Sequence, residues 1–322
     1  MDTTVELDEN KRVAIIDCGT NTFNLLVKGK VEGKWKTLFK TKLPVKLGAG
    51  GFSENVLLPN RMARGIDALY SYKNVLDSLG VKDVRVFATS AVREASNGNE
   101  FVARVKKHLN FDMEVISGDR EAELIFEGVV QTTEEIKEDY LIMDIGGGST
   151  EFIFVRDQKP LWRKSYLLGV SRLHGMLNPA SRINQDDVHR LRAHLNTELQ
   201  DLILFLKENP VRVLVGSSGS FDTLFDMYLF AKAKDSAKEV SQDSSREKLN
   251  EIPFNSYPSI HQWLMGSTLE ERLKHPSIPQ MRAEYMPLST YLVKFVLEQS
   301  SFNKMYQSEY ALKEGVLAHY LS

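Results

Sequence analysis

The sequence is 322 residues long, with 26% charged residues and a formal net charge of -2 at pH 7. That length exceeds what one hydrophobic core serves and predicts two domains of roughly 150 residues each, while the balanced charge excludes a general basic field for nucleic acid or a membrane surface. The single cysteine, Cys18, excludes a disulfide framework and every cysteine-rich metal site, which fits a reducing compartment.

The first twelve residues, MDTTVELDENKR, lack the pattern of a signal peptide, and no apolar run approaches the ~20 residues that span a bilayer, so a cytoplasmic protein is expected. Residues 12–17 (RVAIID) and 22–28 (TFNLLVK) read as strands on either side of a tight turn, and 34–42 alternates as a third. Met62, Ile66, Leu69, Leu76 and Leu79 keep helical spacing behind Pro59, and Gly80 closes that helix at its C′ position. A buried strand at 84–88, a helix at 100–109, a strand at 113–116 and a helix at 119–130 follow. Strands at 140–144, 150–155 and 161–166 then repeat the opening pattern around a second glycine turn.

Val188, Leu191, Leu195, Leu199 and Leu202 predict one long amphipathic helix, and Val211 to Val215 a buried strand that ends in a small-residue turn, GSSGS at 216–220. The polar stretch 232–250 suits a solvated loop. Helices are expected at 257–266, 283–298 and 309–320. Alternating strands and helices imply an α/β protein whose domains share a cleft.

Two stretches carry the chemistry: DCGTNT at 17–22 and DIGGGSTE at 144–151. Each sets an aspartate at the end of an apolar strand, follows it with glycine, and closes with hydroxyl or amide residues. Glycine admits positive φ and lets backbone N–H groups approach a phosphate closely. Each turn joins two strands, whereas Walker and dinucleotide loops feed a helix. Gly19, Thr20, Asn21 and Thr22 in one turn, and Gly146, Gly147, Gly148 and Ser149 in the other, are the expected phosphate cradle. Asp144 and Glu151 bracket the second turn with hard oxygens suited to Mg2+, and Asp17 holds the matching place in the first. Cys18 is expected to be a buried, inert thiol. The seven histidines form no HExxH pattern, which leaves zinc hydrolysis unsupported.

Taken in order, DCGTNT, ATSAVREASN at 88–97, ISGDREAELIFEGV at 116–129, DIGGGSTE, GSSGS and LKEGVL at 312–317 resemble the exopolyphosphatase and guanosine pentaphosphate phosphatase family. The resemblance implies two ribonuclease-H-like domains of the actin-like ATPase superfamily: residues 1–127 with 306–322 in one, 128–305 in the other. It also implies Glu121 as the general base on the attacking water, Arg93 as a phosphate-gripping fork, Asp144 and Glu151 as metal or water-positioning carboxylates, and Asp17 as a carboxylate that either touches the metal or fixes its own turn. The motif usually carries two adjacent glutamates, and the first is Arg120 here. Lys313 stands where an arginine often precedes Glu-Gly. Ser218 and Gly219 are similar to the superfamily turn that approaches adenosine in its kinases. Arg163, Lys164, Arg172, Arg182, Arg190 and Arg192 form a basic run that could lead a polyanion inward or coat solvated helices.

The leading expectation is a Mg2+-dependent hydrolase that releases orthophosphate from the ends of inorganic polyphosphate. Guanosine pentaphosphate is the runner-up substrate; a non-catalytic sensor of either polyanion and an ATP-dependent kinase are further alternatives. A homodimer is the prior for the assembly.

Overall fold

The computed structural model describes residues 11–51, 54–236 and 246–321. The N-terminal stretch before residue 11 and the centre of the polar stretch, 237–245, lie outside the described residues. The chain divides into two compact units, Met1–Ser117 and Gly118–Ser322. That division falls ahead of the expected boundary at 127 and groups 306–322 with the second unit.

The first unit runs β1 (Arg12–Cys18), β2 (Thr22–Val31), β3 (Lys34–Pro44), α1 (Pro59–Ser78), β4 (Asp83–Ala88), α2 (Ser90–Glu94), α3 (Gly98–Leu109) and β5 (Met113–Val115). Its sheet has the order β3-β2-β1-β4-β5, with an antiparallel trio and with β4 and β5 parallel to β1. Val13, Ala14, Ile15 and Ile16 form an unbroken apolar run because β1 is central and buried on both faces. The core joins Ile16, Phe23 and Leu25 of the sheet to Leu69 and Tyr72 of α1 and Phe101 of α3. Gly80 ends α1 at φ +63°, with its N–H on Asp77 and that of Val81 on Leu76, as the sequence predicts.

The second unit runs α4 (Gly118–Val129), β6 (Tyr140–Ile145), β7 (Thr150–Arg156), β8 (Lys159–Tyr166), α5 (Val170–Leu177), α6 (Gln185–Glu198), α7 (Gln200–Glu208) and β9 (Val213–Ser217). It continues through α8 (Ser218–Ser236), β10 (Leu249–Glu251), α9 (Tyr257–Gly266), α10 (Leu269–Lys274), α11 (Met286–Leu297), β11 (Lys304–Ser308) and α12 (Leu312–Leu321). Read from one edge, β8-β7-β6-β9-β11 repeats the strand order and directions of the first sheet, and β10 adds an antiparallel edge. The fold is thus the expected α/β type, with the ribonuclease-H-like order present twice.

Several elements differ from the sequence reading. The long helix expected through 188–202 is two helices meeting at Leu199, where φ and ψ are -99° and 17°. No proline or glycine causes the bend; it keeps Leu191, Leu195, Leu199, Leu202 and Leu206 against one core. GSSGS is not a loop, since β9 runs to Ser217 and α8 starts at Ser218. Residues 304–308 form a strand ahead of the last helix, with Gln307 fully buried beside Asn250 and Asp222. The polar stretch is partly ordered, as the end of α8 and the start of β10.

Candidate active site

The hairpin register builds the second loop. Pairing of β6 with β7 sets Asp144 opposite Glu151 and Ile145 opposite Thr150, and the Gly146 N–H closes the turn on the Ser149 carbonyl at 3.0 Å. The first loop closes identically, Gly19 N–H on Thr22 O at 3.0 Å. Neither Gly19 nor Gly146 has positive φ; a Cβ on either would sit 3.0 Å from the carbonyl it bonds. Close approach, not left-handed backbone, is what favours glycine here. The start of α5 braces the second loop: Val170 and Ser171 donate to the Gly146 and Gly147 carbonyls at 3.0 and 2.9 Å. A Cβ at Gly169 would lie 2.3 Å from the Gly147 carbonyl carbon.

Three carboxylates converge in this unit, and all are buried: Asp144 at 5% exposure, Glu151 at 1% and Glu121 at 7%. Parallel pairing of β6 with β9 sets Asp144 beside Ser217, and its Oδ2 accepts the hydroxyls of Ser217 (2.5 Å) and Ser218 (2.7 Å). Ser165, opposite Glu151 on β8, donates to Glu151 Oε1 at 2.7 Å. Burial raises the Asp144 carboxyl, and Asp222 adds to this, against the two serine hydroxyls and Lys313, which pull it down. Burial lifts Glu151 well above the carboxylate range, and the charges of Glu121 and then Asp144 push it further. Glu121 reaches this cluster from the first turn of α4, on the face that also buries Ala122, Leu124 and Ile125. Ser218 pays for its grip on Asp144 with φ +67°, a left-handed conformation that costs a non-glycine residue on the order of 1–3 kcal/mol.

The helix carrying Glu121 is held by glycine contacts. A Cβ on Gly128 would meet Ala311 O at 2.1 Å, and one on Gly315 would meet Leu124 O at 1.7 Å, so the backbones of α4 and α12 touch. That crossing explains the Glu-Gly-Val repeated at 127–129 and 314–316. It also brings in Lys313, which is paired with Glu314 at 3.1 Å.

A family model described as the Ppx/GppA phosphatase family matches residues 26–322. The chain belongs to the Ppx/GppA phosphatase family. A Cytophaga hutchinsonii exopolyphosphatase of known structure is 34% identical, with a TM-score of 0.90 over 97% of this chain and 98% of that one. The Aquifex aeolicus member of the Ppx/GppA family shares the fold at 24% identity and TM-score 0.75, covering 97% of both chains. A Haemophilus influenzae protein provisionally named exopolyphosphatase is 28% identical over 307 residues, 95% of this chain and 90% of its own. Membership of the Ppx/GppA family makes the chain a phosphoanhydride hydrolase.

Within this Ppx/GppA chain the first unit holds the remaining predicted residues. Asp17 faces Asn24 across β1 and β2 and accepts its Nδ2 at 3.0 Å. The Asn21 carbonyl takes the N–H groups of Val45 and Lys46, both at 2.8 Å, and Thr20 is buried. Arg93 on α2 binds Glu94 through Nε at 2.8 Å and the Ile116 carbonyl through Nη1 at 3.0 Å. Cys18 is buried, and burial together with Asp17 raises its thiol well above the usual value, which suits an inert role.

Arg120 lies along its own helix, 2.6 Å from Glu123 and 4.0 Å from Glu127, and holds Glu123 below the ordinary range. In the basic run, Arg163, Lys164, Arg190 and Arg192 pair with Glu123, Asp201, Asp187 and Glu298. Arg172 instead reaches the second loop, at the Gly148 carbonyl (3.3 Å). Ser165, Ser217 and Ser218 as carboxylate holders were missed by sequence reasoning. Only strand register could have revealed the first two.

Among the described residues no group of three or more His, Cys, Asp and Glu side chains forms a preset metal cage. Mg2+ does not need one, since it binds through one or two carboxylates while keeping several waters. Asp144 and Glu151, adjacent across two strands and raised by burial, form a hard oxygen pair whose ionised state calls for a cation. The donor chemistry therefore fits. No helix among the described residues is long and apolar enough to cross a membrane.

Proposed function

We propose that the chain releases orthophosphate from the ends of inorganic polyphosphate in a Mg2+-dependent reaction, with Glu121 accepting the proton of the attacking water. The observation that carries this reading is the buried trio Glu121, Glu151 and Asp144, assembled beside a glycine turn. The exopolyphosphatase names of the two relatives support the substrate class.

Three adjacent carboxylates in a buried site do not all ionise together, and a shared proton belongs to the group as a whole. With Mg2+ held by Asp144 and Glu151, that pair would be engaged by the cation, and Glu121 is the carboxylate left to accept the proton of the water. As water attacks the terminal phosphorus, its oxygen forms the new P–O bond and its proton passes to a Glu121 oxygen. The bridging P–O bond breaks, and the shortened chain departs with that electron pair. Mg2+ on Asp144 and Glu151 would neutralise non-bridging oxygens. The turn 146–149 and Arg172 flank the charge that develops.

Orthophosphate release measured from polyphosphate and from guanosine pentaphosphate at equal Mg2+ tests the ranking. Faster release from polyphosphate with no acceptor present is expected, which also separates hydrolysis from kinase chemistry. A preference for the nucleotide of about tenfold, near 1.4 kcal/mol in barrier, overturns it. Binding without any turnover would make the protein a sensor.

A further inference from the structure

In the first unit, α1 opens without a side-chain cap. Its N-cap, Leu58, supplies no side-chain hydrogen bond, and no acidic residue stands in its first turn. The charge placed there is positive instead: Arg61 lies in that turn, and Arg64 follows three residues on, on the same face of the helix. The entry to the helix is anchored, since Asn97 accepts the Leu57 N–H at 2.8 Å and donates to the Leu57 carbonyl at 2.9 Å.

Neither arginine is satisfied by the protein. Both are half-buried, and each has a buried Nε with no hydrogen-bond partner. Among the described residues Arg61 makes no side-chain hydrogen bond or ion pair, and Arg64 makes one hydrogen bond, from Nη2 to the Lys46 carbonyl at 3.4 Å. Burial, and then the like charge of Arg61, holds Arg64 below the ordinary guanidinium value. Two cations one turn apart at the positive end of a helix repel each other and oppose its dipole. An oxyanion seated on the two forks would accept their N–H donors, neutralise both charges and suit the dipole.

Lys46 ties the pair to the first glycine turn. Its carbonyl takes Arg64, its N–H bonds the Asn21 carbonyl at 2.8 Å, and the Gly48 N–H bonds the Thr20 carbonyl at 3.3 Å. We propose that Arg61 and Arg64 form an accessory oxyanion site on the first unit, which binds one phosphate group supplied as free orthophosphate or as an inner group of a phosphate chain. The site uses none of the buried carboxylates, so it stands whichever substrate they serve.

Orthophosphate and inorganic tripolyphosphate are the probes. Their binding is measured by calorimetry at fixed ionic strength without Mg2+, in the wild type, Arg61→Gln and Arg64→Gln. Affinity for at least one probe should fall about tenfold or more in either variant, roughly the worth of one charge-assisted hydrogen bond. A loss for orthophosphate identifies the free ion as a ligand, and a loss for tripolyphosphate alone identifies a group within a chain. Unchanged affinity for both probes overturns the proposal. Thermal unfolding in phosphate-free buffer supplies the second reading. Because Arg61 bonds nothing among the described residues, Arg61→Gln should unfold no lower than the wild type. A lower unfolding temperature, or failure of that variant to fold, would make Arg61 a structural residue and also overturns the proposal.

Discussion

Glu151 illustrates how much of the site a single residue reports. Its side chain is held by Ser165 and lies against the charges of Glu121 and Asp144. The folded state therefore binds the Glu151 proton more tightly than the unfolded chain does. Stability from this source is complete below the unfolded value of about pH 4.3 and is lost as pH rises through the raised folded value. Metal-free protein should unfold at progressively lower temperature from about pH 5 upward, and Glu151→Gln should flatten that slope. If the slope survives the substitution, another group carries it. Mg2+ bound to the ionised pair, as proposed, would offset the loss, by about 2.7 kcal/mol at 100 times its Kd. Its stabilising effect should grow with pH in the wild type and shrink in Glu151→Gln.

Glu121 gives the complementary residue-scale test. Glu121→Gln keeps the shape of the side chain and removes the proposed base, so kcat should fall by about 10²–10⁴ while tripolyphosphate still binds. Turnover equal to wild type would place the proton elsewhere. Both glutamates and Asp144 were legible because they stand in motifs that join strand to turn or open a helix. Ser165 and Ser217 were not, since their contacts come from strand registers between segments 14 and 73 positions apart in sequence.

At the scale of elements, the glycine crossing of α4 and α12 is what delivers Glu121 and Lys313 to the carboxylates. Gly315→Ala forces a methyl into the Leu124 carbonyl. Overpacking of this kind costs about 1–3 kcal/mol, and relief requires the helices to part. Urea unfolding should show that loss, and kcat should drop with it as Glu121 shifts. Stability lost without any change in kcat would mean that Glu121 is positioned by its own helix alone. Sequence periodicity found both helices, but not their contact, because helical spacing says nothing about which backbones meet. Among the elements it missed, β11 is short and polar in sequence. Gln307 is buried there by hydrogen bonds to Asn250 and Asp222 and not by apolar packing.

At the scale of the whole molecule, two sheets of the same order carry two turns of the same geometry, and the duplication inferred from two short loops extends to every strand from β1 to β5. The copies differ where it matters chemically. The cross-strand partner of Asp144 is Glu151, whereas that of Asp17 is Asn24, whose amide already donates to Asp17. A carboxylate pair suits a divalent cation; a carboxylate bonded to an amide is satisfied with no cation. On the Mg2+ reading proposed above, the second copy would be the metal side, with Asp17 left to fix its own turn. Asp144→Asn should abolish Mg2+-dependent stabilisation in thermal unfolding and remove activity. Asp17→Asn should retain the Mg2+ response and lose activity only in part, through weaker phosphate affinity. An Asp17→Asn protein that loses the Mg2+ response as completely as Asp144→Asn defeats this asymmetry, whatever happens to its activity.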